Sequence, residues 1–232
     1  MGKRIGDRQI LAGVDFDLPS GEFLTIFGPN GAGKTTLIRI LSLLTRASEG
    51  RLVLNGAVVD EDSAGALRRD IGVLSHHTFL YGDLTAAENL QFYGRMYDVP
   101  GLKARIPEAL EEVGLALHFH DPVRQFSRGM QQRLAIARAI LHKPSLLFLD
   151  EPYTGLDPQG SAVLSRILAG LKNERRTVVM ITHNFDEGLS LADQVMILAK
   201  GRIAFAARAA GIDRATFPAE YLARVGGVPC RS

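Results

Sequence analysis

Two hydrophobic rhythms alternate along the chain. Near the start, QILAGVDFDL, EFLTIFG and RLVLNG are apolar runs of strand length. Between the second and third lies TTLIRILSLL, whose apolar residues recur every three and four positions, the spacing of one helix face. The stretch up to about Asn55 therefore predicts strand, loop, helix, strand. From about Asp83 to Ala139 the rhythm is helical: TAAENLQFYGRMY and IPEALEEVGLAL read as helices, and Thr85 followed by Glu88 three residues on is a capping-box signature. The last third returns to strands, SLLFLDEP and TVVMITH, separated by the helical SAVLSRILAGLKN. Strands that are apolar throughout and alternate with helices predict a parallel sheet covered on both faces. VMILAKGRIAF predicts a hairpin at the sheet edge, turning at Lys200–Gly201. The pattern as a whole is α/β, one domain over residues 1–232 with a helical subdomain inserted at about 83–140.

Composition narrows this only a little. A hydrophobic content of 46% over 232 residues allows a sizeable core. Lys+Arg of 27 against Asp+Glu of 25 gives +2, without the basic excess that would by itself mark nucleic-acid binding. The single cysteine, Cys230, cannot close an internal disulfide; it favours a reducing compartment and reads as inert. The longest apolar runs fall well short of the roughly 20 residues that cross a bilayer, so a link to a membrane has to come through a partner. MGKRIGDRQ lacks an apolar leader core and fits the myristoylation pattern poorly, so the chain reads as cytosolic.

The chemistry begins at Gly28, Pro29, Asn30, Gly31, Ala32, Gly33, Lys34, Thr35 and Thr36, which follow the strand EFLTIF and open the helix TTLIRILSLL. That context is what a phosphate-binding loop requires. Glycines allow successive backbone N–H groups to turn inward around phosphate oxygens, and the helix N-terminus adds its dipole. Lys34 then reaches the terminal phosphates and the Thr35 hydroxyl reaches Mg²⁺. A second metal anchor is expected at Asp150, where SLLFLDEP ends a buried strand. Glu151 follows directly, placed to accept hydrogen bonds from an attacking water as general base or water positioner. His183, ending TVVMITH, is a third candidate at a strand terminus, able to hydrogen-bond the γ-phosphate.

One more turn stands out. In FSRGMQQR, Ser127 is a good N-cap for the helix LAIARAIL, and Gly129 lets another group approach the backbone closely. Taken alone, this is an ordinary capped helix start.

Taken together, these residues resemble the nucleotide-binding subunit of ABC transporters over essentially the whole chain. GPNGAGKTT stands as Walker A, FSRGMQQR at the signature position, LLFLDEP as Walker B with its glutamate, TGLD as the D-loop and ITH as the switch histidine, in the family's order and spacing. The resemblance implies a P-loop NTPase core with a parallel sheet, an N-terminal antiparallel β portion and a helical subdomain. It also implies ATP and Mg²⁺ as ligands, integral membrane permease subunits as partners, and a place at the cytoplasmic face of the inner membrane without direct contact to nucleic acid. Two subunits would pack head to tail, so that Ser127, Arg128, Gly129 and Met130 of one touch ATP held by the other, with Asp157 at the same interface. A soluble ABC-type ATPase acting on ribosomes or nucleic acid is the competing class, but the second cassette or long coiled coil usual there is missing from this sequence.

Three positions depart from the family's pattern. Arg128 and Met130 stand where the common LSGGQ form has its first glycine and its glutamine. His76 occupies the place of the Q-loop glutamine that usually touches Mg²⁺. The family's opening strand is expected to be missing, with Ile5 where an aromatic would stack on adenine. The run FSRGMQQRLAIARAIL together with His76 is similar to the ATPases of heme exporters in c-type cytochrome maturation, and exporters of drugs share the SRGM form.

Overall fold

The computed structural model describes residues 1–75, 77–174 and 176–226; His76 and Cys230, both singled out above, lie outside the described residues. In chain order the elements are β1 (Lys3–Ile5), β2 (Arg8–Leu11), β3 (Phe23–Phe27), α1 (Lys34–Leu41), β4 (Val53–Leu54), β5 (Ala57–Val58), α2 (Glu61–Arg68) and β6 (Ile71–Leu74). There follow α3 (Ala86–Met96), α4 (Leu102–Glu112), α5 (Arg128–Ile140), β7 (Leu146–Asp150), α6 (Pro158–Asn173) and β8 (Thr177–Ile181). The chain continues through α7 (Phe185–Leu191), β9 (Gln194–Ala199), β10 (Arg202–Arg208) and α8 (Phe217–Gly226).

The central sheet has the order β10-β9-β3-β8-β7-β6. Its strands β9, β3, β8, β7 and β6 run parallel, and β10 folds back antiparallel on β9 at the edge, with the turn at Lys200–Gly201 that the sequence predicts. Every residue of β3, β7 and β8 is buried, because both faces of the sheet are covered. The period of two decides which core each side chain joins. Leu147, Leu149, Val178 and Met180 face one core together with α3 to α6, whereas Leu146, Phe148, Val179 and Ile181 face the other together with α1. The expected helical stretch forms α3, α4 and α5, and α3 opens with the Thr85–Glu88 capping box. Its apolar faces share one continuous core with the sheet.

Several elements differ from the sequence reading. A strand does open the chain: Lys3–Ile5 pairs antiparallel with Arg8–Leu11, in a place where the reading expected the opening strand to be missing. Three mostly exposed residues, KRI, carry no apolar pattern that would reveal it. QILAGVDFDL is a strand only as far as Leu11, and RLVLNG contributes a two-residue strand to a small hairpin with β5. Helix α2 was not foreseen because none of its residues is fully buried and only Ala64 and Leu67 pack against the core; its own capping box, Asp60 with Ser63, defines its start. The four-residue β6 and the seven-residue α7 are too short for periodicity to resolve, and α8 likewise was not foreseen.

Candidate nucleotide site

Strands β3, β8 and β7 are neighbours in the sheet, and three candidate groups leave from their carboxyl ends. Gly28 follows β3, Asp150 closes β7, and His183 stands two residues past β8. Ligands in open parallel sheets bind at such ends, where the strand connections diverge to opposite faces. Here β3 lies between β8 and β9, so the loop after it opens at the divergence.

The phosphate loop is shaped by its glycines. At Gly28, φ is 156°, and a Cβ would lie 2.2 Å from the carbonyl oxygen of Leu198, so any side chain there would collide with backbone. Gly33 caps α1 at φ 102°, a left-handed conformation that side chains disfavour. The Lys34 ammonium folds back over the loop and donates to the carbonyls of Gly28 (2.6 Å) and Pro29 (3.0 Å). Burial lowers its pKa, and the nearby carboxylates of Glu151 and Asp150 oppose that shift. Thr35 donates its hydroxyl proton to Asp150 Oδ2 at 2.9 Å, which joins the start of α1 to the end of β7. Asp150 itself is 6% exposed.

Glu151 takes a left-handed backbone, φ 53°, and its amide donates to the Ile181 carbonyl at 2.9 Å. For a residue with a Cβ this conformation costs roughly 1 kcal/mol or more and persists only where neighbours hold it. The carboxylate is thereby aimed at β8's end, where His183 Nδ1 donates to Glu151 Oε2 at 2.8 Å. The histidine ring is mostly exposed. Glu187, on α7, lies close by; burial raises its pKa, His183 lowers it and the charge of Glu151 raises it further.

The signature turn is built differently. Ser127 caps α5, its Oγ accepting from the Met130 amide at 3.2 Å. Arg128 lies across Gly155, where a Cβ would come within 2.6 Å of its Nε, so the glycine of TGLD gives the arginine its seat. Gly129 is another matter: a Cβ there would meet nothing in the chain closer than 3.8 Å. No contact inside the subunit requires glycine at that position. Asp157 caps α6 by accepting from the Gly160 amide at 2.7 Å.

Between these parts opens a cleft of about 340 Å³ in which Asp150 and Glu151 face Arg128, Gln131 and Gln132 from α5 and Ser75, His77 and Thr78 from the segment after β6. Gln132 donates to the Pro152 carbonyl at 2.9 Å. The sequence reading missed Ser75, His77, Thr78, Gln131 and Gln132 as site residues; only the polar run after Gly129 hinted at the last two. Among the described residues no cluster of three or more His, Cys, Asp or Glu could hold a metal by itself, and no helix is long and apolar enough to cross a membrane.

The comparisons agree with this geometry. Residues 11–154 match the family model described as ABC transporter. The chain is 39% identical, over 87% of its own length, to the daunorubicin resistance ATP-binding protein DrrA3 of Streptomyces coeruleorubidus. It is 37% identical, again over 87% of its length, to the linearmycin resistance ATP-binding protein LnrL of Bacillus subtilis strain 168. It spans 64% and 65% of those two proteins' lengths. Among solved structures, the dimeric post-hydrolysis state of the ATP-binding cassette MJ0796 bound to ADP and Pi superposes with a TM-score of 0.82 at 27% identity, covering 91% of this chain and 96% of that one. By family model, sequence and fold alike, the chain belongs to the ATP-binding cassettes of ABC transporters, a family of ATPases.

Proposed function

We propose that this chain hydrolyses ATP and thereby powers an exporter whose membrane-spanning part is made of separate integral permease subunits, the cassette sitting peripherally at the cytoplasmic face of the membrane. The observation that carries the reading is the convergence, at the ends of β3, β7 and β8, of Lys34, the Thr35–Asp150 pair and the Glu151–His183 pair. A bound triphosphate would take the Lys34 ammonium from the two loop carbonyls, and residues 28–36 would wrap its phosphates. Glu151 would accept a hydrogen bond from the water that attacks the γ-phosphorus and take its proton as ADP leaves, while His183 would donate to the γ-phosphate.

Mg²⁺ suits the donors present. Two oxygens, Thr35 Oγ1 and Asp150 Oδ2, already stand 2.9 Å apart, and this ion is usually held by one or two protein oxygens plus phosphates rather than by a full protein cage. When bound it supplies charge neutralisation on the phosphate oxygens. His76 is the further candidate for its shell.

We infer a head-to-tail homodimer with ATP at the interface. Its support is the unneeded glycine at 129 beside a capped, outward helix start, together with the dimeric cassette that this chain resembles. Residues 83–140 then act as a subdomain carrying the signature turn to the neighbouring subunit. The names of the two resistance proteins support a small organic molecule as cargo. A second reading, heme for cytochrome c biogenesis, is favoured by the run FSRGMQQRLAIARAIL and His76.

The deciding experiment is Glu151→Gln. ATP binding should persist while hydrolysis falls at least about 100-fold; hydrolysis at the normal rate would end the assignment. The same variant, trapped with ATP and purified from gently solubilised membranes, should bring its permease with it. Small membrane proteins of cytochrome maturation in that sample would select heme, another permease the drug-type cargo, and none at all would refute the exporter.

A further inference from the structure

Between α3, α5 and the segment after β6 lies a cation that no carboxylate among the described residues neutralises. Arg138 is 8% exposed; its Nη2 donates to the Val73 carbonyl at 2.8 Å, and its Nε has no hydrogen-bond partner among the described residues. Its guanidinium carbon lies 5.1 Å from the Tyr93 ring centroid and 5.7 Å from that of Phe79. Burial works against the charge, and the tyrosines on α3 and at its C-terminal cap favour it. A buried arginine held by rings and one carbonyl, rather than by an acid, is an expensive way to fill space that methionine could fill.

What the guanidinium holds explains its presence. Phe79 has a left-handed backbone, φ 55°, which a residue with a Cβ abandons unless restrained. The Tyr93 hydroxyl donates to its carbonyl, and Arg138 lies against its ring. Val73 and Phe79 thus stand on either side of Ser75, His77 and Thr78, and both are tied to the same side chain. Those three residues form one wall of the cleft over Asp150 and Glu151; Arg128, Gln131 and Gln132, from the first turns of α5, form another. Arg138 sits further along the same helix.

We propose that Arg138 is a positioning residue for hydrolysis: by binding Val73 and Phe79 to α5, it sets how far Ser75, His77 and Thr78 stand from Asp150 and Glu151. The proposal rests on the reading of this cleft as the ATPase site. It concerns neither nucleotide affinity, which belongs to residues 28–36, nor the first turn of α5.

The test compares the whole chain with R138M and R138K, by hydrogen–deuterium exchange and by steady-state ATP hydrolysis. R138M should speed exchange about tenfold at the amides of Ser75, His77, Thr78 and Phe79, leave the amides of Gly28 to Thr36 unchanged, and lower kcat about tenfold with KM within about twofold. R138K keeps a cation over the rings and one donor, and should recover at least about half of the lost rate. Unchanged exchange after Val73, or a rise in KM matching the fall in kcat, or no recovery with R138K, would each overturn the proposal. If R138M fails to fold, Y93F removes only the hydroxyl that holds Phe79; it should raise exchange there about threefold, and no change would count against the clamp. Absence of hydrolysis in the unsubstituted chain would refute the ATPase reading instead, and the exchange arm would still decide whether Arg138 restrains the segment.

Discussion

The two halves of the nucleotide machinery are finished to different degrees. In the phosphate-loop half every candidate group has a partner in its own chain: Lys34 on two carbonyls, Thr35 on Asp150, His183 on Glu151. The signature half ends at its helix cap. Ser127 and Arg128 are exposed, and a Cβ on Gly129 would meet only ordinary van der Waals contacts, at 3.8 Å and beyond. A glycine demanded by neighbours, such as Gly28 against Leu198, explains itself within one subunit; a glycine that no neighbour demands points to contact from outside. Under the head-to-tail pairing proposed above, the difference means that a cassette can be folded and yet hold only part of each site.

Substitutions in the two halves should therefore separate. Lys34→Ala strikes the self-contained half and should weaken ATP binding about 100-fold, or about 3 kcal/mol, in equilibrium titration; affinity within a few-fold of normal would show that the ammonium does not meet the phosphates. Ser127→Arg strikes the outward half. It should leave ATP affinity of the monomer intact and weaken ATP-driven dimerisation about 30-fold in sedimentation, because a second cation would be buried beside Arg128 at the interface. Dimerisation at ordinary ATP strength would break the comparison. His183→Ala strikes the phosphate-loop half without touching residues 28–36 or the signature turn: both binding and dimerisation should survive, with turnover down about tenfold in a phosphate-release assay.

The smallest effect concerns how the far end of the signature helix is held to the sheet. There His142 stacks on Tyr97 with ring centroids 4.0 Å apart, and its Nε2 faces the Ile71 carbonyl at 3.1 Å. Since a carbonyl only accepts, Nε2 carries the proton; Nδ1 is buried without a hydrogen-bond partner among the described residues. Burial lowers the pKa of this histidine below its usual 6.5, the Ile71 carbonyl opposing the shift. The unfolded chain therefore binds the proton first as pH falls. Its contribution to stability should be complete above about pH 6.5 and decline below it, down to the lowered native pKa. Thermal unfolding followed between pH 7.5 and 5.5 should show a steeper loss for the unsubstituted chain than for His142→Leu; equal slopes would remove His142 as the cause.

Much of the active half was legible because its motifs are local. Glycine spacing with a following Lys-Thr pair needs only the strand before it and the helix after it, and both were signalled by periodicity. The apolar run before Asp150 announced a buried strand ending in a carboxylate for the same reason. What stayed hidden involves residues with little or no periodic neighbourhood: β1, with three polar or exposed positions, α2, with only Ala64 and Leu67 against the core, and the wall of Ser75, His77 and Thr78. Arg138 gave no signal at all, since an arginine inside LAIARAIL reads as a solvent-facing residue on an otherwise apolar helix.

By itself, then, the sequence determined the alternation of β3, α1, the helices α3 to α5, β7, α6, β8 and the edge hairpin, the phosphate loop, the two carboxylates and the turn that starts α5, because each is specified by residues within a few positions of one another. Tertiary structure alone decided that β8 lies between β3 and β7 and so brings His183 to Glu151, that Arg128 rests on Gly155, and that one buried guanidinium ties Val73 and Phe79 to a helix some 60 residues later in the chain. Those contacts join segments far apart along the chain, and the free energy that selects them comes from burying apolar faces against one another, a property of the packed whole that no local pattern encodes.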